Sequence, residues 1–331
     1  MQTRRSALQL TSVAIAATTL AAVGQAFAQT APAAYPDRPV KVIVALAAGG
    51  SVDMIARTLG QKLNTALGQA FVVDNRAGAS GQIGMPLVTK APADGYTLTV
   101  SPASFLTTNK SVFKSLPYDP ETDFSPVSLL VNQPMVLVVS DKQKYPSVAA
   151  FLAAAKANPG KITYATSGDG SPQHLAGLMF ETRTKTGLLH VPYKGGALAV
   201  NDALAGTVDA MFAVMPEAIP HIRSGKLTAL GVMSPQRLGV LPNVPTMVES
   251  GFADMNLSAW IGLLAPAKTP KPIIDQLNRA VVAAMDAELK GKLAENGMDV
   301  TTSSPEELQR LIARDIKVHA ELVKASGLVP Q

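Results

Sequence analysis

The sequence predicts an α/β protein of two domains with mostly parallel sheets, on three observations. Short β-branched runs alternate with longer amphipathic segments, the pattern of strands joined by crossover helices. The pattern is laid down twice, once before Met135 and again between Met135 and Gly251. A helical tail then follows and needs a surface to pack on, so the chain is expected to cross between domains near Val131–Val139 and again near Leu257–Leu264. Two crossings make a hinge with a cleft between lobes. The expected boundaries are residues 29–135 with 259–331 for the first lobe and 136–258 for the second.

The elements follow in chain order. Residues 1–28 read as an export signal cleaved after Ala28, because Arg4 and Arg5 precede an uncharged, largely apolar stretch, Ser6–Val23, and then Ala26-Phe27-Ala28. Thr3-Arg4-Arg5-Ser6 leaves both the general and the twin-arginine route open. Val40–Leu46 is an apolar strand that breaks at Gly49-Gly50, and Ser51–Leu67 continues with apolar residues at helical spacing. Ala70–Asp74 and Thr97–Ser101 are further strands, with a helix over Ser80–Ala91 between them. In the second half the strands are Val136–Ser140, Ile162–Ala165, Val208–Ala213 and Leu227–Met233, with helices over Val148–Asn158, Pro172–Thr186 and Ala197–Ala205. Ser258–Leu264 is an apolar return, and Pro272–Ala287 and Pro305–Ala325 are the closing helices.

Composition narrows the chemistry. The formal net charge of +5 is spread along the chain without a basic block, which argues against nucleic acid as a partner. The absence of cysteine excludes disulfides, a thiol nucleophile, thiolate metal sites and a lipidated N-terminal cysteine. The four histidines, His174, His190, His221 and His319, sit in no metal-ligand spacing, and there is no G-x-S-x-G elbow. The glycines of Gly78-Ala79-Ser80-Gly81-Gln82-Ile83-Gly84 recur every third residue, which is not G-x-G-x-x-G, and no phosphate-binding G-x-x-x-x-G-K-[ST] occurs. No enzyme, cofactor or metal is expected.

Three glycine-bearing strand-to-helix turns remain. Gly49-Gly50-Ser51 follows the first strand, with Ser51 placed to cap a helix whose N2 residue is Asp53. Thr166-Ser167-Gly168-Asp169-Gly170 leads to Ser171 as a second cap, with Pro172 at the first helical position. Val191-Pro192-Tyr193-Lys194-Gly195-Gly196 opens onto a third helix. Such turns aim unpaired N–H groups and the positive helix end at one point, so together they suggest capture of a small anion in a cleft. A bulky residue at Gly50 or Gly196 is expected to block the approach and to penalise a φ above zero.

Several long blocks are similar to a known family: "YPDRPVKVIVALAAGGSVDMIARTLGQKL", "VVDNRAGASGQIGMPLVTKAPADGYTL", "LPYDPETDFSPVSLLVNQPMVLVVS", "ANPGKITYATSGDGSPQHLAG", "HVPYKGGALAVNDALAGTVDAMF" and "LPNVPTMVESG". They resemble the solute-binding receptors of tripartite tricarboxylate transporters, the Bug family, in order from Tyr35 to beyond Pro270.

The resemblance implies a two-lobe periplasmic binding protein of the type II-like, Venus-flytrap kind, a monomer that closes on a small carboxylate and presents it to a membrane permease. A sensor that docks on a membrane kinase is the alternative. The resemblance places ligand contacts on Ala48, Gly49, Gly50, Ser51 and Asp53 in the first lobe and on Ser167, Gly168, Ser171, His174, Tyr193, Gly195, Gly196 and Asp209 in the second, with Ser104 just past the third strand. Asp53 is open to two readings, a ligand contact or a complement to the helix N-terminus; His174 is equally a cleft residue or an ordinary hydrogen-bonded histidine. The family usually carries Pro-Phe before the first turn, where this chain has Ala45-Leu46. Either the ligand is bulkier than a C4 dicarboxylate or the loop packs differently. Trp260 and Phe105 could supply an aromatic wall or belong to the core, and Arg76 reads as structural.

Overall fold

The strand β1 (Val40–Val44) and the helix α1 (Ser51–Leu67) show how pattern becomes structure. Val52, Ile55, Leu59 and Leu63 share the face of α1 that is buried against the sheet, and Gly68 closes the helix at φ 71°. The computed structural model describes residues 35–330; the export signal expected at residues 1–28 lies outside them. The first half continues with β2 (Phe71–Asn75), α2 (Met85–Thr89), β3 (Thr97–Pro102), α3 (Ala103–Leu106) and α4 (Asn109–Val112). A long strand, β4 (Phe124–Val139), leads into α5 (Val148–Ala157), β5 (Thr163–Thr166), α6 (Pro172–Thr184), β6 (Leu189–Pro192), α7 (Gly196–Ala205), β7 (Ala210–Val214), α8 (Met215–Arg223) and β8 (Thr228–Val232). The return strand β9 (Ser258–Pro266) precedes α9 (Lys271–Ala284), α10 (Ala287–Ala294), β10 (Asp299–Val300) and α11 (Pro305–Ala325). Ser304 and Glu307 form a reciprocal capping box at the start of α11.

The strands order as β2-β1-β3-β9-β4-β7-β5-β6, with β8 and β10 also on β4. The sheet is mixed rather than mostly parallel: β1 pairs in parallel with β2 and β3, and β5 with β6 and β7, but every pairing of β4 and β9 is antiparallel. The reason is mechanical. β9 runs opposite to the first part of β4 and to β3, β7 and β8 run opposite to the last part of β4, and two opposed neighbouring strands can only pair antiparallel.

β4 also divides the sheet. Phe124–Pro134 pairs with β9, whereas Met135–Val139 pairs with β7 and β8. β1 and β3 run in the direction of β4, since β3 opposes β9 and β9 opposes β4; β7, β5 and β6 run against it. The carboxyl ends of the strands in the two halves therefore point toward each other. Contact follows: a Cβ placed on Gly170, after β5, would lie 3.0 Å from the Val112 side chain in α4, after β3.

Alternation along β4 and β7 builds two apolar layers. Leu137, Val139, Phe212 and Val214 join Phe151, Tyr164 and Phe180 on one face, and Val136, Val138, Met211 and Ala213 join Ala199, Ala218 and Ile219 on the other. A third cluster holds the first half together around Ile43, Phe105, Trp260 and Leu308.

Two expectations fail for local reasons. The helix expected over Ser80–Ala91 is split into a 3₁₀ turn, Ala79–Gly81, and α2, because Gly78 and Gly81 take φ values of 136° and 88° that no helix contains. β4 begins at Phe124, well before the Val136 expected, and its early half was hidden by Pro126, Ser128, Asn132 and Pro134. The pairing with β9 shifts register between Pro126 and Ser128, where a proline is tolerated in a strand.

The tightest helix–sheet approach is at Gly177 in α6, where an added Cβ would lie 2.2 Å from the fully buried Tyr164 ring of β5. Gly177→Ala is expected to destabilise the fold by about 1–3 kcal/mol through overpacking, read as a lower urea midpoint with an unchanged slope.

Candidate functional site

The first turn lies at the carboxyl end of β1. Gly49 takes φ 90° and Gly50 an extended φ of −78°, so the left-handed conformation falls on Gly49. Gly50 is the N-cap of α1 and supplies no side-chain acceptor; Ser51, expected in that role, is the first helical residue. Asp53 consequently stands at N3, not N2, and reaches back to its own loop. Its Oδ2 accepts from the Gly49 N–H and from Arg57 Nε, each at 3.0 Å, and its Oδ1 accepts from Asn75 Nδ2 at 3.0 Å. The bond from Arg57 is the main reason that its carboxyl is held below the usual range despite burial. Asp53 thus braces the turn and occupies one amide that the sequence assigned to an anion. Ala48, Gly49 and Gly50 are exposed, and the first-turn amides of α1 beyond them have no intrahelical acceptor.

The other two turns lie side by side, because β5 and β6 are adjacent and parallel. Ser171 caps α6 as expected, its hydroxyl accepting the His174 N–H at 3.2 Å with Pro172 at the helix start. The Tyr193 N–H donates to the Thr166 carbonyl at 3.0 Å, and Gly168, at φ 125°, brings its Cα face toward the Tyr193 carbonyl. Gly195 is the N-cap of α7 at φ 122°, and α7 has no side-chain cap. Gly196 is required for space, since a Cβ there would lie 2.3 Å from Glu217 Oε1. Tyr193 points its hydroxyl at Asp202 Oδ2, 2.6 Å away.

The fold joins residues that the spacing of the histidines kept apart. His174 and His190 stack with ring centroids 3.9 Å apart and planes at 9°, and Asp169 Oδ1 lies 3.9 Å and 3.7 Å from their Nδ1 atoms. Three potential metal donors are thus within reach of one another. The arrangement does not suit a metal: parallel stacked rings direct their lone pairs alongside each other rather than at one point. His174 Nδ1 already accepts the Gly170 N–H at 3.1 Å, and His190 Nε2 shares a 2.6 Å hydrogen bond with the Thr166 hydroxyl. Burial pushes His174 down to about 4 and lowers His190 as well. The pair is a neutral, stacked floor under the β5 turn.

Asp209 is a correction. It precedes β7, at the opposite end of the strands from the turns, and its carboxylate accepts from Lys144 Nζ at 2.6 Å, Tyr145 Oη at 2.8 Å, and the Thr163 N–H and hydroxyl at 3.0 and 2.9 Å. Burial opposes ionisation, but these hydrogen bonds prevail and bring the carboxyl down to about 2. Asp209, just before β7, ties the turn that follows β4 to the start of β5. Ser104 lies in α3 at the carboxyl end of β3, on the same side as the first turn. Phe105 packs over Gly81, and Trp260 is buried with its Nε1 donating to Asp315 Oδ2 at 2.8 Å, so both belong to the core. Ala45 packs against Gly84, where an added Cβ would lie 2.6 Å from the Ala45 Cβ. Arg76 pairs with Asp74 at 2.8 Å.

Two further groups were not anticipated. Gln173 takes the Ser167 hydroxyl on Oε1 at 2.9 Å and donates from Nε2 to Glu217 Oε2 at 3.1 Å. The signal for Glu217 was present in Met215-Pro216-Glu217, a strand end followed by proline at a helix start, the same grammar as Ser171-Pro172. A groove of about 1240 Å³ lies elsewhere: Trp260, Met298, Arg314 and Leu238 are among its lining, and no residue of the three turns is.

An α/β sheet divided on a shared strand, with strand-to-helix turns of both halves opposed, defines the fold of periplasmic solute-binding proteins. The chain belongs to the TctC family, the tripartite tricarboxylate transporter family receptors, whose pattern it matches over residues 55–328. It is 39% identical over 295 residues to Protein BugT of Bordetella pertussis, covering 88% of this chain and 90% of that protein. Among solved structures, Rhodopseudomonas palustris Rpa4515 with adipate superposes with a TM-score of 0.82 at 34% identity, covering 90% of this chain and 100% of that one. MatC of the same species, with bound malate, gives 0.77 at 32% identity, covering 87% and 100%.

Asp209→Ala is expected to lower stability by about 3 kcal/mol, from the loss of charge-assisted hydrogen bonds and the stranding of their donors. Because the folded pKa is depressed, the wild-type contribution is complete above the ordinary value of 3.8 and is lost as pH falls toward about 2. Urea melts of both proteins at pH 3 and pH 7 check this. The stacked histidines act over a different window. Their folded pKa values are also depressed, so protons favour the unfolded chain, and stability falls as pH drops from the ordinary 6.5 toward about 4. His174→Asn should flatten that slope, worth on the order of 2–3 kcal/mol, between melts at pH 7 and pH 4.5.

Proposed function

We propose that this chain is a periplasmic receptor that closes two lobes, residues 29–135 with 259–331 and residues 136–258, on a small carboxylate and presents it to a tripartite tricarboxylate-type permease. The observation that carries this reading is the state of the helix starts: α1, α7 and α8 have no side-chain caps, and each opens at the carboxyl end of a strand. Uncapped first turns leave N–H donors and positive helix ends for an anion. α1 belongs to one half of the sheet and α7 and α8 to the other, so an anion between them would draw the halves together. Ser51 and Ser104 provide hydroxyl groups at the same edge, the Ser167 and Tyr193 hydroxyls being engaged by Gln173 and Asp202, and no arginine is needed. The adipate and malate held by Rpa4515 and MatC support a carboxylate as the ligand class.

The test is a thermal-shift panel of mono-, di- and tricarboxylates, adipate and malate included, on the purified protein. A carboxylate at about 100 times its Kd should add about 2.7 kcal/mol of stability. Calorimetry should then give one ligand per chain, and membranes should co-purify a permease rather than a sensor kinase. Gly195→Val, which places a side chain at φ 122°, should cost about 1–3 kcal/mol of backbone strain and weaken carboxylate binding at least tenfold. A panel in which no carboxylate raises the melting temperature overturns the reading.

A further inference from the structure

Glu217, half-buried, stands apart from the acids already described. Asp53 and Asp209 each have both carboxylate oxygens engaged by hydrogen-bond donors. Among the described residues Glu217 has a single neutral donor, Gln173 Nε2, on Oε2, and its Oε1 accepts no hydrogen bond. Its position is fixed from two sides. Ser167, in the β5 turn, orients the Gln173 amide, and the bare Cα of Gly196 leaves the space that Oε1 fills beside the first turn of α7. A carboxyl group is thereby inserted among the N–H donors that the proposed function assigns to the ligand.

We propose that Glu217 is a proton-dependent determinant of ligand binding: in its neutral form it donates a hydrogen bond to a ligand carboxylate beside Gly196, and in its ionised form it repels that carboxylate. The inference rests on the carboxylate-receptor reading and adds to it the protonation state in which the receptor binds. Burial pushes the group up to about 7, with the Gln173 bond opposing, so both forms are populated near neutrality. The surrounding elements add no competing switch there. β4 and β7 carry no charged residue. On α6, His174 is turned to the Gly170 N–H and burial pushes it down to about 4; burial also lowers the His190 of β6 stacked on it beside Asp169. On α7, Asp202 is held by the Tyr193 hydroxyl; on α8 itself, His221 and Arg223 lie in the last turn; and Glu295, near the Gly297 turn that packs on Met215, is exposed.

The experiment is the carboxylate panel run at pH 6.5 and pH 8.5 on the wild type and on Glu217→Gln, followed by calorimetry of each compound that shifts the melt. Adipate, malate and monocarboxylates are ionised above about pH 6.5, so for these compounds a change in affinity over this range belongs to the protein. Wild-type affinity should fall about tenfold or more between the two pH values, with close to one proton taken up on binding at pH 8.5. Glu217→Gln, which keeps a neutral hydrogen-bonding group in place, should bind about equally at both and so exceed the wild type about tenfold at pH 8.5. Equal wild-type affinity at the two pH values, or the same slope in the variant, overturns the role of Glu217 while leaving the carboxylate receptor intact. No stabilisation of either protein by any carboxylate at either pH overturns both.

Discussion

The structure depends on one constraint, that a single strand is shared by two halves of a sheet. β4 spends Phe124–Pro134 against β9 and Met135–Val139 against β7 and β8, so both halves are built on one continuous backbone. Strand direction then propagates outward by hydrogen-bond geometry alone. β1 and β3 are led to run with β4, and β5, β6 and β7 against it. Two sets of carboxyl ends, each followed by helix starts, are thereby opposed without any side chain specifying it. Pro134 marks the changeover, the last residue to pair with β9 before Met135 pairs with β7.

Within that frame the acids divide by the company they keep. Buried Asp53 and half-buried Asp209 are saturated with donors, which makes ionisation favourable and turns each into a fastening: one ties a loop to α1 and β2, the other ties the turn after β4 to β5 at the start of β7. Glu217, half-buried, has one weak partner, and desolvation makes its ionisation costly. The same side-chain chemistry therefore gives structural fixtures at two places and a titrating group at a third. The helix starts divide similarly. α6 and α11 are closed by Ser171 and Ser304, whereas α1, α7 and α8 leave their first amides open at strand ends.

The stacked His174–His190 pair shows the limit of spacing arguments. No ligand motif links the two residues, yet His174 in the first turn of α6, just after β5, stacks on His190 of the adjoining β6. Proximity alone does not make a metal site, because lone-pair direction and prior hydrogen bonds decide what the nitrogens can take.

Much of the architecture was legible in the sequence, since local pattern suffices for an isolated element. The bounds of α1 and α11, the Ser171 cap with its proline, and the glycine turns follow from periodicity and from the backbone freedom or restriction of single residues. The blocks quoted from Tyr35 onward were enough to point to the family that the chain matches. What only the tertiary structure decided depends on partners distant in the chain. Asp209 was misplaced because its donors, Lys144, Tyr145 and Thr163, come from other elements. Ser51 lost the cap role to Gly50, and Gly49 lost its free amide to Asp53, through a loop conformation that composition does not encode. The early half of β4 was hidden by its prolines: Pro126 is accommodated at a register shift that exists only once β9 is in place, and Pro134 stands at the changeover from β9 to β7. Sequence determines which segments can form; hydrogen-bond partners brought from elsewhere determine which groups are engaged, and at the opposed strand ends they leave the starts of α1, α7 and α8 without side-chain caps and one oxygen of Glu217 without a donor among the described residues.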